Sequence, residues 1–308
     1  MDAHKFVMER WACRRTHTLR ICRWLSAALL CAVWAGSCFG QDASRNGAAA
    51  PATPDTASLP IVVELFTSEG CSSCPPADEF VRKLDSLQPV HGVQFIVLSE
   101  HVTYWDHDGW KDPNSSAALT DRQTEYERVL GVSGPYTPQL IVDGAKELHI
   151  NDAHELQAAF QQAAATPKIP VRIGTVNIDS GKPAVLRAHV EADAVADKKS
   201  AEVFVAVALD HVESEVLKGE NGGRHLVHVA VVQQITKIGK LEKSKSLAQD
   251  VQLKLKPGTD PNNIRVVAFV QASGPGRVLG AALWKREVNR PRLEGALQPA
   301  SCSPPRAR

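Results

Sequence analysis

Two cysteines stand two residues apart in the stretch "LFTSEGCSSCPPADEF" (65–80), Cys71 and Cys74. A C-x-x-C pair can exchange disulfides, close a structural disulfide or supply half of a soft metal site, and its neighbours decide which. Thiols at a helix N-terminus face unsatisfied backbone N–H groups and the positive end of the helix dipole, and both favour thiolate. Cys71, expected to be the more exposed member, is therefore the expected nucleophile, and Cys74 the thiol that resolves a mixed disulfide. The inner pair, Ser72 and Ser73, carries no charge and no aromatic ring, so the direction of electron flow cannot be read from it.

The cysteines need a corner to sit on, and the flanking pattern supplies one. "LPIVVELFTS" (59–68) is a short apolar, β-branched run that reads as a buried strand. From Pro75 the pattern turns helical, with Phe80, Leu84 and Leu87 at three- and four-residue spacing and prolines in the first turn. A second strand (93–102), a second helix (115–132), two strands around Asp143-Gly144 (138–150) and a helix capped by Asn151 or Asp152 (151–165) follow. The order is β-α-β-α-β-β-α, with the dithiol at the first strand-to-helix junction.

That order resembles the thioredoxin-like fold, and "YTPQLIVDG" adds to the likeness. It puts Pro138 after Thr137 at the start of the third strand, where the resemblance implies a cis-proline beside the dithiol that receives an extended substrate. Glu64, which interrupts the first strand, lies one step from the position at which thioredoxins bury a carboxylate. The resemblance thus makes it a possible proton acceptor, set against a structural or partly solvated acid. The stretches "ELFTSEGCSSCPPAD", "HVTYWDHDGWKDP", "RQTEY", "YTPQLIVDG" and "KGENGGRHLVHVAVV" together resemble the exported, thioredoxin-like family called domain of unknown function 1223. That resemblance spans most of residues 60–285.

The segment "HVTYWDHDGWKDP" (101–113) is rich in aromatic, acidic and histidine residues and follows the second strand at the dithiol edge of the sheet. Trp105 and Trp110 are expected either to contact substrate, as loop residues often do, or to pack a capped loop. His101 or His107 could join Cys71 and Cys74 in a soft N/S metal site, although the spacing departs from that of exported copper chaperones of this fold. No cofactor is expected.

After Lys168 the pattern changes to seven short alternating runs (171–178, 184–192, 201–212, 224–235, 251–256, 264–271 and 278–285), which predict a second, antiparallel β domain of sandwich type. Within it "GENGGRHLVH" groups Arg224, His225 and His228 beside glycines, read as a turn or as a surface meeting a partner or the dithiol domain. The predicted organisation is a signal peptide (1–40), a flexible leader (41–58), a thioredoxin-like domain (58–167), a β-sandwich-like domain (168–287) and a proline-rich tail (288–308).

The 308-residue chain is 44% hydrophobic and 22% charged, a globular profile with room for two cores. Its formal charge is +1, but 6 of its 35 basic and 2 of its 34 acidic residues fall in 1–40, leaving 29 and 32, a net of −3. Nothing in that balance suggests nucleic acid as a partner. Arg14, Arg15, Arg20 and Arg23 precede an apolar stretch from Trp24 that ends in small residues and is short for a membrane span, which predicts export to the periplasm. Processing there would remove Cys13, Cys22, Cys31 and Cys38, leaving Cys71, Cys74 and a tail cysteine, Cys302. The expected partners are protein thiols or disulfides of that compartment, with no membrane contact beyond the export signal.

Overall fold

The first strand, β1 (Leu59–Thr67), is buried along its last seven residues and lies between two partners. It pairs in parallel with β2 (Val93–His101) and antiparallel with β3 (Gln139–Val142), which turns at Asp143-Gly144 into β4 (Lys146–Leu148). Asp143 and Gly144 both have positive φ (52° and 59°) in the three-residue connection that Ala145 N closes by donating to the Val142 carbonyl. In the computed structural model, the described residues are 58–286 apart from 180 and 196–199. The expected signal peptide, most of the leader, the tail and Cys302 lie outside them.

Three helices pack on this sheet. Helix α1 (Pro75–Leu87) has Cys74 as its N-cap residue and prolines in its first turn, and buries Ala77, Phe80, Val81 and Leu84. The Gln88 side chain holds the main chain of Phe95 through two hydrogen bonds (2.8 and 3.0 Å), fixing the helix end to β2. Helix α2 (Ala117–Leu130) stops at Gly131, whose φ of 72° suits a residue without a side chain. Helix α3 (Ala153–Ala164) is capped by the Asp152 carboxylate, which accepts from His154 N and Glu155 N. Strand alternation divides the helices between the two faces. Ile61, Val63 and Leu65 share a core with α1 and α3, while Val62 and Phe66 face the side that holds Leu119 and Tyr126 of α2.

All seven later runs form strands: β5 (Val171–Asp179), β6 (Val185–Ala192), β7 (Ala201–Glu215), β8 (His225–Leu241), β9 (Leu247–Lys254), β10 (Ile264–Ala272) and β11 (Val278–Lys285). They do not form a separate sandwich. Four continue the first sheet, giving one mixed eight-stranded sheet of order β11-β10-β7-β8-β2-β1-β3-β4, and β5-β6-β9 make a small second sheet. The two sheets share a core of Leu186, Val190, Val205, Val207, Val266 and Val270, so sandwich-like packing survives locally. The reason for the difference is visible in β10, where Val266, Ala268 and Val270 fill that core while Val267 and Phe269 fill the core beside α2. A strand buried on both faces reads as continuously apolar, and such strands lie inside large sheets.

β8 also covers what would otherwise be the free edge of β2. The seam is a single register pair, Ser99 with Val231. Directly before it, Ala230 has a φ of 55°, and Val229 and Ala230 pack into the core that contains α1. The loop 216–224 between β7 and β8 is thereby brought toward the start of α1.

Candidate functional site

β1 ends at Thr67, and four residues later Cys71 is joined to Cys74 by a disulfide with Cα atoms 5.4 Å apart. Gly70 is required between them and the strand: a Cβ there would stand 2.9 Å from Trp105 Cβ. Both cysteines are fully buried, whereas Ser72 and Ser73 are exposed. The expected greater exposure of Cys71 is therefore wrong, because three segments close over the corner.

The first is the cis peptide Thr137–Pro138. Ser73 Oγ lies 3.3 Å from Cys71 Sγ and donates to the Thr137 carbonyl at 3.5 Å. The second is the aromatic loop after β2. Trp105 Nε1 donates to Thr137 Oγ1 at 2.8 Å, and Trp110 Nε1 donates to Glu69 Oε2 at 2.8 Å. The third is the loop 216–224. Asn221 Nδ2 donates to the carbonyls of Glu69 (2.8 Å) and Cys71 (2.9 Å), and Glu220 Oε2 accepts from Ser72 N at 3.1 Å. Gly219 (φ 78°) lets this loop meet the aromatic one, since a Cβ there would lie 2.9 Å from the Asp108 carbonyl.

Beneath the disulfide lies a buried polar cluster. Glu69 accepts from Ser214 Oγ (2.6 Å) and Asn114 Nδ2 (3.4 Å) as well as from Trp110. Asp112 Oδ2 accepts from Glu69 N (2.9 Å) and pairs with His101 Nδ1 (2.6 Å). Burial alone would raise Asp112, but the neighbouring His101 and two backbone N–H groups outweigh it and hold the carboxyl at about 2. Burial alone would likewise lower His101, yet Asp112, with Asp78 and Glu69 behind it, raises its pKa. The His101 ring stands edge-on to His228, with centroids 4.8 Å apart. Asp78 Oδ1 accepts from Thr67 Oγ1 at 3.0 Å. Asp78 Oδ2, His101 Nε2, both ring nitrogens of His228 and Asn221 Oδ1 have no hydrogen-bond partner among the described residues.

Cys71, Cys74, Thr137, Pro138, Trp105 and, through Glu69, Trp110 are thus gathered at one place. Glu64 is not. On the strand it alternates with the residues that face α1, and it points to the α2 side, where it accepts from Arg122 (2.5 and 2.8 Å) and Tyr126 (2.6 Å). It is a partner in a buried ion pair and does not face the dithiol. The mixed metal set is also not assembled: His107 is exposed beside Asp108, His101 is committed to Asp112, and among the described residues no group of three or more His, Cys, Asp or Glu is arranged to hold an ion.

Asp78, Glu69, Asp112 and Asn221 are the residues that sequence reasoning missed. Asp78 was within reach, since it lies four residues after Cys74 and so on the same helix face. The other three depend on loops that meet only in the fold.

The model of the family described as a protein of unknown function (DUF1223) matches residues 62–271. This chain belongs to the DUF1223 family. The match takes in both sides of the β2–β8 seam and every residue of the site. Among solved structures, the DUF1223 chain is similar to a crystal structure of a protein from Agrobacterium tumefaciens, with 26% identity and a TM-score of 0.56 over 74% of this chain and 95% of that one. A domain of the outer membrane lipoprotein Omp28 from Porphyromonas gingivalis matches at 14% identity and a TM-score of 0.25, covering 39% of this chain and 88% of that one. No curated protein matches the chain.

Proposed function

We propose that this DUF1223 protein is an exported thiol–disulfide exchange protein whose α/β part is a thioredoxin-like unit. The observation that carries the reading is the disulfide between Cys71 and Cys74 at the strand-to-helix corner, with the cis Thr137–Pro138 peptide linked to it through Ser73. The strand order β2-β1-β3-β4, with α1 and α3 on one face and α2 on the other, supports the thioredoxin-like assignment. A closed disulfide and the N-terminal basic and apolar pattern support the periplasm as the compartment.

In the reducing direction, Cys71 thiolate attacks a protein disulfide, forms a Cys71–substrate disulfide and releases one substrate thiolate. Cys74 then attacks Cys71 Sγ, the mixed bond breaks, the second substrate thiolate leaves, and the Cys71–Cys74 disulfide forms. Two electrons pass to the substrate and two protons leave the dithiol. In the oxidising direction each step runs backwards. Thr137 and Pro138 receive the extended substrate, and Trp105 must swing off Thr137 to admit it. The test is trapping in the periplasm with Cys74→Ser: a mixed disulfide to a defined protein is expected, and an empty trap would overturn the reading.

The burial of both cysteines favours a second reading, a structural disulfide that braces the loop. A reduction potential below about −300 mV would select it.

A further inference from the structure

Closing a disulfide between two buried cysteines releases a proton where there is little water to take it. Most of the polar cluster beneath the pair cannot serve. Asp112 accepts from His101, Glu69 N and Asn114 N and is held at about 2, and both Glu69 oxygens are occupied by donors. The atoms left over among the described residues include Asp78 Oδ2 and the two ring nitrogens of His228.

These two side chains lie next to each other on the side of α1 that begins at the dithiol. Asp78 lies one helical turn beyond Cys74, with its N–H donating to the Cys74 carbonyl at 3.1 Å. His228 Nδ1 is 3.5 Å from Asp78 Oδ1. Asp78 and His228 are 5% and 1% exposed, yet both line a cavity of about 200 Å³ that starts at Pro75 and reaches the exposed side chains of Glu79 and His225. A cavity of that size with polar walls holds water. His228 is faced by Asp78 of α1, by Glu69 at 4.0 Å and by the His101 ring from β2.

We propose that Asp78 and His228 form the proton path between the buried dithiol and solvent. As Cys74 attacks Cys71 Sγ of a mixed disulfide, the Cys74 S–H bond breaks, its proton passes to the Asp78 carboxylate, the electron pair forms the Cys71–Cys74 bond, and the substrate thiolate leaves. His228 takes the proton from Asp78 and releases it to water in the cavity, and opening of the disulfide draws a proton inward along the same line. The biological use of this path rests on the exchange reading, but the path itself is a property of the dithiol.

The experiment uses the reduced full-length protein and glutathione disulfide as the probe. The rate at which the Cys71–glutathione adduct closes to the Cys71–Cys74 disulfide is followed by mass spectrometry across the range around the thiol pKa of about 8.5. Asp78→Asn, which keeps the acceptor for Thr67, is expected to slow closure by roughly tenfold or more at neutral pH and to move the rise in rate to higher pH. His228→Gln is expected to slow it less and in the same direction, and decides alone should Asp78→Asn not fold. Closure rates and pH profiles that match the wild type would overturn the path. Slowed closure together with an empty Cys74→Ser trap would support the path and sink the exchange reading, whereas a filled trap with unchanged closure would do the reverse.

Discussion

The two faces of the sheet each bury a polar cluster, and the two are built to opposite ends. On the α2 face, Arg122 reaches Glu64, Tyr126 and Gln271, and lies 3.6 Å from Glu100. Burial and the charge of Glu64 raise Glu100 well above the usual carboxylate range, and the Arg122 guanidinium opposes that rise. Gln271 belongs to β10, so this cluster ties α2 to the far side of the sheet. On the α1 face, Asp112 pairs with His101 Nδ1 and leaves His101 Nε2 unbonded, and Asp78 and His228 leave unbonded atoms at a cavity. Buried polar atoms are normally bonded, and exceptions require a reason. The first cluster also leaves both Glu100 oxygens without a hydrogen bond, but it clasps them beside a guanidinium, whereas the unbonded atoms of the second include those of two side chains that line a cavity.

Substitutions can break or sharpen that contrast. Arg122→Met strands the buried Glu64 carboxylate and is expected to cost about 3–5 kcal/mol in urea unfolding, while the rate of disulfide reduction in the folded protein stays unchanged. A change in that rate would show that the faces are not independent.

Asp112→Asn is expected to cost about 2 kcal/mol near pH 5 to 6, reflecting the carboxyl held down at about 2 from an ordinary 3.8. The contribution of Asp112 is present above its unfolded value and fades as pH falls toward about 2. That of His101, whose pKa is raised from 6.5, is full below 6.5 and is lost as pH rises through the folded value. The stabilisation by the pair is therefore greatest between these limits. Unfolding free energies measured against pH should show the loss on the alkaline side, and Asp112→Asn should flatten it.

Asn221→Ala removes the donor shared by two buried carbonyls and is expected to cost about 1–2 kcal/mol and to speed reduction of the disulfide by a small-molecule thiol. Reduction at the wild-type rate would mean that this loop does not guard the sulfurs. Glu220→Gln touches only the Ser72 N–H from an exposed position, so its effect should be confined to a smaller increase in that rate.

Much of the α/β part was legible in the sequence because its signals are local: prolines at the start of α1, Asp143-Gly144 at the hairpin, Asp152 before α3. The partition of the later strands was not. Runs such as "IRVVAFVQ" give each strand, and their continuous apolar character signals two covered faces, but it does not say which sheet the strand joins. The cysteines were legible from their spacing, and Pro138 from the resemblance of "YTPQLIVDG" to the thioredoxin-like pattern. For Glu64 the sequence leaves a proton acceptor and a structural acid open, and the strand face opposite to that of Val63 and Leu65 decides for the second. For His228, which arrives from a strand more than 150 residues away, the sequence offers contact with the dithiol domain only as one alternative to a turn or a partner surface.

The turn in the backbone at Ala230 has a consequence for how this protein could be rebuilt. The residues just before it carry His228 to α1, while those just after it stitch the sheet together at Ser99. A miniature cut after residue 167 would keep both cysteines and Pro138 and lose Asn221, Glu220 and His228, and with them the roof and the floor of the chamber around its own disulfide. The motif is portable in sequence, but the chamber belongs to the whole chain.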